Sequence, residues 1–315
     1  MVLRALVFLN WLFTAVASAE EVPNPAGKQW LDQMIQAMKS LNYQGTVVFL
    51  KNNQADTMKY RHRVVNGLEQ EFLSSLNSPL REMTRKSSET SCYYKETSQK
   101  IINHHPVDSS FIVNLPVNAA SLDNIYALNT GERESIAMHT AQVLDVRPLD
   151  QLRFPRRIWI DTATYLPLKV EVYNLEGQIL EQVVFTEFTT EQTAQTAPEP
   201  LDTPGLNVKH IHAAQAEPFE NAPFQLNNWP PGFKTVFFIR NSLQAQKPVD
   251  HLLLSDGFTT LSVYLEPKTD QGIEGPHSLG SVNSFSKVLG NYQVTVLGEA
   301  PAETVETIAA GVALR

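Results

Sequence analysis

From Tyr43 to Phe188 nearly every apolar stretch is short, rich in β-branched or aromatic residues, and bounded by turn residues, so this half of the chain can only be built from strands. The spacing predicts strands over 43–50, 58–65, 68–76, 81–85, 92–94, 100–103, 135–146, 157–161, 168–173 and 179–188. Asn66-Gly67 is the strongest short hairpin pair, because both residues accept the positive backbone angles of a tight primed turn. Asn52-Asn53, Asp161 to Thr164 and Asn174 to Gly177 supply further turns. So many antiparallel strands twist and cannot lie flat. One helix is predicted ahead of them, over 27–41, where Trp30, Leu31, Met34, Ile35, Met38 and Leu41 fall on one face. The expected fold class is mainly β, or α+β: a curved, incompletely closed antiparallel sheet with a helix against it. Between Asp108 and Leu128 the pattern breaks around Pro116, which suits a loop or a short helix.

Residues 1–19 read as a cleavable signal peptide. Arg4 precedes an apolar run, and Ala17-Ser18-Ala19 is a small-residue cleavage pattern that would start the mature chain at Glu20. The run is shorter than the ~20 apolar residues of a membrane-spanning helix. Export to the periplasm is the expected consequence. Cys92 is the single cysteine, so an oxidising compartment must be withstood through core burial without an internal disulfide. The formal net charge of −8 makes nucleic acid an unsuitable partner. Basic residues cluster locally at Lys59 to Arg63 and Arg153 to Arg157, either as solvated strand faces or as attraction for an acidic peptide or a lipid phosphate.

The run from Thr189 to Gly205 is rich in Thr, Ala, Pro and Gln and poor in large apolar residues, the composition of a linker. With the weakly patterned stretch from Ala213 to Asn228, it divides the chain into a β domain over 20–189, a linker over 190–228 and a small domain over 229–315. In that last part strands are predicted at 234–240, 251–254, 258–266, 281–288 and 292–298. A closing helix is expected over 301–314, with Pro301 in its first turn and Glu303 near the positive end of its dipole. The second domain is therefore a smaller antiparallel sheet with a terminal helix.

No catalytic constellation is found, and no enzyme activity is expected. His251, Ser255 and Asp256 lie close in sequence, but on one extended strand His251 and Ser255 would sit about 13 Å apart, beyond reach of a nucleophile and its base. Phosphate loops, dinucleotide fingerprints and nucleophile elbows are absent from the sequence. His210 with His212, and His104 with His105, lack acidic or thiol neighbours at metal-ligand spacing, so neither metal nor cofactor is expected. Apolar surface remains. A many-stranded sheet that does not close tends to enclose a cavity, and Trp30, Met34, Met38, Phe49, Phe111, Ile112 and Leu115 are candidates to line one that takes lipid, unless they are ordinary core.

Trp30 to Met34, Met38 to Thr46, Ser74 to Glu82, Trp229-Pro230-Pro231-Gly232-Phe233, His251-Leu252 with Ser255-Asp256-Gly257, and Val294 to Glu299 resemble, in order, the MucB/RseB family over nearly the whole mature chain. The resemblance implies a periplasmic negative regulator of a sigma-E-type envelope-stress sigma factor, which binds the periplasmic region of a membrane-spanning anti-sigma factor (RseA or MucA) and shields it from regulated proteolysis. It further implies a first domain like the lipoprotein carriers LolA and LolB, and a second domain that helps to hold the anti-sigma factor. On that basis Trp229, Phe233, His251, Phe258 and Tyr264 are the partner-binding candidates. Lipid or lipopolysaccharide is the expected second ligand, and a homo-oligomer is compatible with the sequence. The alternatives are a periplasmic lipid or lipoprotein carrier and, third, a cryptic hydrolase.

Overall fold

The computed structural model describes residues 25–77, 79–86, 89–103, 110–191, 207–211, 215–244, 247–270 and 272–315. The predicted signal peptide, residues 192–206 and 212–214 of the linker, His104 and His105 lie outside these residues, and His212 with them. The chain opens with helix α1 (Pro25–Ser40), followed by β1 (Asn42–Lys51), β2 (Gln54–Val65), β3 (Leu68–Ser75), β4 (Arg81–Lys86), β5 (Glu89–Tyr94) and β6 (Gln99–Asn103). A short 3-10 helix, Ala119–Leu122, leads into β7 (Tyr126–Ile136), β8 (His139–Pro148), β9 (Arg156–Asp161), β10 (Pro167–Tyr173) and β11 (Ile179–Glu191). Then come β12 (Asn207–Ile211), β13 (Ala216–Glu217), β14 (Phe224–Leu226), β15 (Lys234–Gln244), β16 (Lys247–Ser255), β17 (Thr260–Pro267), β18 (Gly275–Leu279), β19 (Val282–Leu289), β20 (Tyr292–Gly298), helix α2 (Ala302–Gly311) and β21 (Val312–Leu314).

Twelve strands form the first sheet in the order β12-β6-β5-β4-β3-β2-β1-β11-β10-β9-β8-β7, and its two edges do not pair. The sheet is bent, because Met58 and Leu73 from one half share a core with Val143, Ile158 and Ile160 from the other, with Leu31, Met34, Ile35 and Met38 of α1 packed between them. The second sheet runs β13-β15-β16-β17-β20-β19-β18. Val305, Ile308 and Ala309 of α2 close its separate core, and β14 pairs with β21 beside it.

Three local expectations need correction. The single strand predicted over 135–146 is two strands, β7 and β8, turning at Ala137 and Met138 with φ of 49° and 66°. Neither residue carries a turn preference, and the conformation is held because Ile136 and Ala137 pack on the first core. Phe258 is not in a strand: the hairpin loop extends to Thr259, whose carbonyl accepts from the Asp256 amide, and β17 starts at Thr260. Part of the expected linker is ordered, since Asn207–Ile211 pairs parallel with β6, and β13 and β14 also fall within it.

Candidate functional site

The seven lipid candidates meet in one apolar cluster. Met34, Met38 and Ile112 are buried in it, and Trp30, Phe49, Phe111 and Leu115 are half-buried against it. Most of this is packed core, yet two openings reach it. A cavity of about 170 Å³ is lined by Phe49, Phe111, Ile112, Val170, Val183 and Phe258, with Arg156, Glu181 and Glu299 also in its wall. A cleft of about 310 Å³ borders Met38, Val113, Leu115 and Pro116 on one side and Val236 and Gly257 on the other. A larger groove of about 470 Å³ crosses β11, β1, β2, β3 and β4, beside Glu187, Gln44, Lys59, Phe72 and Glu82, and none of the sequence candidates lines it.

The partner-binding candidates separate into exposed and inward-facing residues. Trp229 is 37% exposed, with its indole N–H donating to the Phe233 carbonyl at 2.7 Å. Tyr264 is half-buried and stacks on the buried His251 ring at 4.2 Å. Phe233 is buried beneath the Arg153 guanidinium, 4.7 Å from its ring centre. Phe258 is fully buried and belongs to the core of the first sheet, not the second. Ser255 and His251 each have another partner: the Ser255 hydroxyl accepts from the Gly257 amide at 3.0 Å, and His251 Nε2 pairs with Ser262 at 3.0 Å.

The β16–β17 hairpin tip is one of the points that join the two sheets. Asp256 is the hub. Its Oδ1 accepts from the amides of Phe258 at 3.0 Å and Thr259 at 2.8 Å, which shapes the loop. Its Oδ2 accepts from the Tyr126 hydroxyl at 2.8 Å and from Arg153 Nε at 2.5 Å, both in the first unit. Arg153 also donates to Asp150 and to the Pro231 carbonyl. Burial works against the Arg153 charge, but the Asp256 carboxylate outweighs it and holds the guanidinium above its ordinary value. Burial first, and then the Asp256 charge, push the Tyr126 hydroxyl far up. Gly257 has φ of +109°, and a Cβ there would lie 2.6 Å from Pro116, so only glycine lets the tip approach this closely.

The basic cluster at Arg153 to Arg157 is therefore not a solvated face. Arg153 and Arg156 are buried at the junction, and Arg157 pairs with Asp145 at 2.7 Å. Beside it, Glu299 of the second unit faces Arg156 at 3.7 Å and Lys51 at 3.9 Å, and Lys51 also pairs with Glu181. Desolvation, followed by repulsion from Glu181, raises the Glu299 carboxyl above 4.5. The folded protein thus holds this proton more tightly than the unfolded chain, and stability is lost as pH climbs from the usual carboxylate range through the raised value. Glu299→Gln is expected to stabilise the protein at pH 7 by under about 1 kcal/mol and to change little at pH 4, as read by thermal melts at both pH values.

A second buried acid sits inside the first sheet. Glu71 accepts from Tyr60 at 2.7 Å, Arg85 Nε at 2.9 Å, Ser110 at 2.5 Å and the Phe111 amide at 3.0 Å. Desolvation and the Glu71 charge hold the Tyr60 hydroxyl well above its ordinary range. The Ala119 amide donates to Asp32 of α1 at 2.7 Å. Residues 110–119 thus form a strap anchored on the sheet at one end and on the helix at the other. In its middle, Pro116 touches Gly257 of the hairpin tip. Cys92 is half-buried, and burial pushes its thiol up, which keeps it protonated. Among the described residues no group of three or more His, Cys, Asp or Glu is placed to hold a metal ion.

Two β-sheets, each with its own helix and locked by one buried acid beside apolar cavities, define a two-unit binding protein. Comparison with known proteins gives this class its family. The MucB/RseB N-terminal domain matches residues 26–204 and the MucB/RseB C-terminal domain matches residues 218–313. The chain is 27% identical to the sigma-E factor regulatory protein RseB of Salmonella typhimurium, over 99% of this chain and 96% of that protein. It is 30% identical to the sigma factor AlgU regulatory protein MucB of Pseudomonas aeruginosa, over 89% of this chain and 88% of that one. A crystal structure of MucB in complex with MucA(peri) superposes with a TM-score of 0.70 at 25% identity, covering 92% of this chain and 99% of that one. The chain belongs to the MucB/RseB family.

Proposed function

We propose that this protein is a periplasmic negative regulator of a sigma-E-type envelope-stress response: it binds the periplasmic region of a membrane-spanning anti-sigma factor and shields it from regulated proteolysis. The observation that carries this reading is that both family domains match in order along the chain, and that a relative of the same two-unit architecture has been solved in complex with MucA(peri). Export through the predicted signal peptide supplies the compartment. The partner-binding candidates take two roles in this reading. Trp229 and Tyr264 supply surface, while Phe233, His251 and Phe258 hold the fold that presents it.

Lipid is the second ligand of this reading, supported by the apolar cavity at Phe49, Phe111 and Ile112. A carrier acting alone would need the first unit only, whereas here the second unit contributes Phe258 to the first core. The test is calorimetry of the mature chain with the periplasmic region of the anti-sigma factor encoded beside the sigma factor in the same genome, paired with a protease-protection assay on that region. Saturable binding with slowed cleavage is expected. Binding without protection would reduce the protein to a tether, and no binding would remove the assignment.

A further inference from the structure

Phe258 is carried on a loop of the second unit, yet its side chain is fully buried in the core of the first. It meets the Tyr126 ring edge-on at 5.6 Å and has the Arg156 guanidinium 5.9 Å from its ring centre. It also forms one wall of the cavity of about 170 Å³ whose other apolar walls include Phe49, Phe111, Ile112 and Val183. A ring that reaches across a junction to finish another unit's apolar cavity leaves, when withdrawn, a larger apolar space for a ligand. An acyl chain suits the apolar part of that space, with Ser110, Asn114 and Gln182 and the charged Arg156, Glu181 and Glu299 available to a polar headgroup.

The loop that carries Phe258 is tied to the cavity wall at Arg156, whose Nη1 donates to the Thr259 hydroxyl at 3.3 Å. It is also held by Asp256, which binds Tyr126 and Arg153 across the junction, and by Gly257 lying against Pro116 of the strap that supplies Phe111 and Ile112. At about 170 Å³ with the tip seated, the cavity is smaller than the roughly 300–1,000 Å³ of an ordinary ligand pocket, so a ligand that needs such a pocket takes the space of the Phe258 ring and competes with seating of the hairpin tip. A ligand that binds one of two such states better shifts the population toward it.

We propose that Phe258 is a built-in plug: an acyl chain enters the first unit by displacing the Phe258 ring, and its withdrawal loosens the hairpin tip that joins the two units. The proposal rests on the lipid reading given above and adds to it the means by which lipid reaches the partner-binding unit. Reciprocity follows, because whatever seats the hairpin more firmly must weaken acyl binding by the same factor.

The experiment uses the full mature chain and two probes below their micelle thresholds, a pyrene-labelled fatty acid and a lysophospholipid carrying the same labelled chain. Phe258→Ala is expected to bind them about tenfold more tightly than the wild type, and Phe258→Leu, which keeps the core filled, is expected to move the same way by less. Equal gains for both probes mean that the chain alone is recognised, and a gain confined to the lysophospholipid means that the headgroup is read as well. In the wild type, saturating probe should speed amide exchange at Phe258 and Thr259, whose N–H groups are held by Asp256. Wild-type binding with no gain in either variant would overturn the plug and leave the lipid reading standing. Binding with unchanged exchange at the tip would overturn the coupling. Absence of binding in wild type and variants alike would remove both.

Discussion

Asp256→Ala is expected to destabilise the protein by about 3–5 kcal/mol, because it takes one of two carboxylates from a buried arginine rather than removing a surface ion pair. The side chains of Arg153 and Asp256 are both wholly shielded from solvent. The remaining Arg153 partners, Asp150 and the Pro231 carbonyl, satisfy other nitrogens of the guanidinium and leave Nε without an acceptor. The same substitution orphans the Tyr126 hydroxyl and the amides of Phe258 and Thr259, each with a desolvation cost. Arg153→Met in the Asp256→Ala background should recover part of the loss, since a guanidinium with an unsatisfied Nε is then no longer buried. Denaturant melts of the four proteins measure it. A loss below about 1 kcal/mol for Asp256→Ala, or a double variant no better than the sum of the singles, would mean that water reaches the junction.

The position of Asp256 shows where reading from sequence stops. Ser255-Asp256-Gly257 is legible as a hairpin loop because Asp and Gly tolerate the backbone angles of a turn. That the carboxylate would also bind Arg153 and Tyr126, more than a hundred positions earlier, follows only once two sheets have been placed together. The methionine stripe at Met34 and Met38 is legible for the opposite reason, since its helical period is a local property and both residues do face the first core. The turn at Ala137 and Met138 escapes a local reading because neither residue prefers positive φ, and packing of Ile136 and Ala137 imposes it. The parallel pairing of β12 with β6 is invisible in the same way, being set by where the chain returns after the linker. Phe258 combines both cases: its apolar character is plain, but the core it enters belongs to the other unit.

Glu71→Ala is expected to cost a similar 3–5 kcal/mol and, unlike the junction variant, to free one end of the strap over residues 110–119. Arg85 keeps Glu69 as a partner at 3.3 Å, so its charge is not wholly stranded. The larger cost falls on the buried Tyr60 hydroxyl and on the Ser110 hydroxyl and Phe111 amide, which lose their shared acceptor. Glu71→Gln retains an acceptor without the charge and should cost less, about 1–3 kcal/mol. At the strap's other end Asp32→Ala removes a single bond, to the Ala119 amide, and should cost about 1 kcal/mol. The two anchors differ because one collects four donors on a buried carboxylate and the other one donor beside a helix. Hydrogen exchange separates local from global effects: Glu71→Ala should raise exchange at Phe111 more than at β8 or β9, since the strap opens below the free energy of global unfolding. Because Phe111 and Ile112 line the apolar cavity and Pro116 abuts the hairpin tip, a strap released at Glu71 should also weaken the contact of the tip with the first unit. Uniform loss of protection across the first sheet would instead make Glu71 a general stabiliser of the core, with no separate hold on the strap.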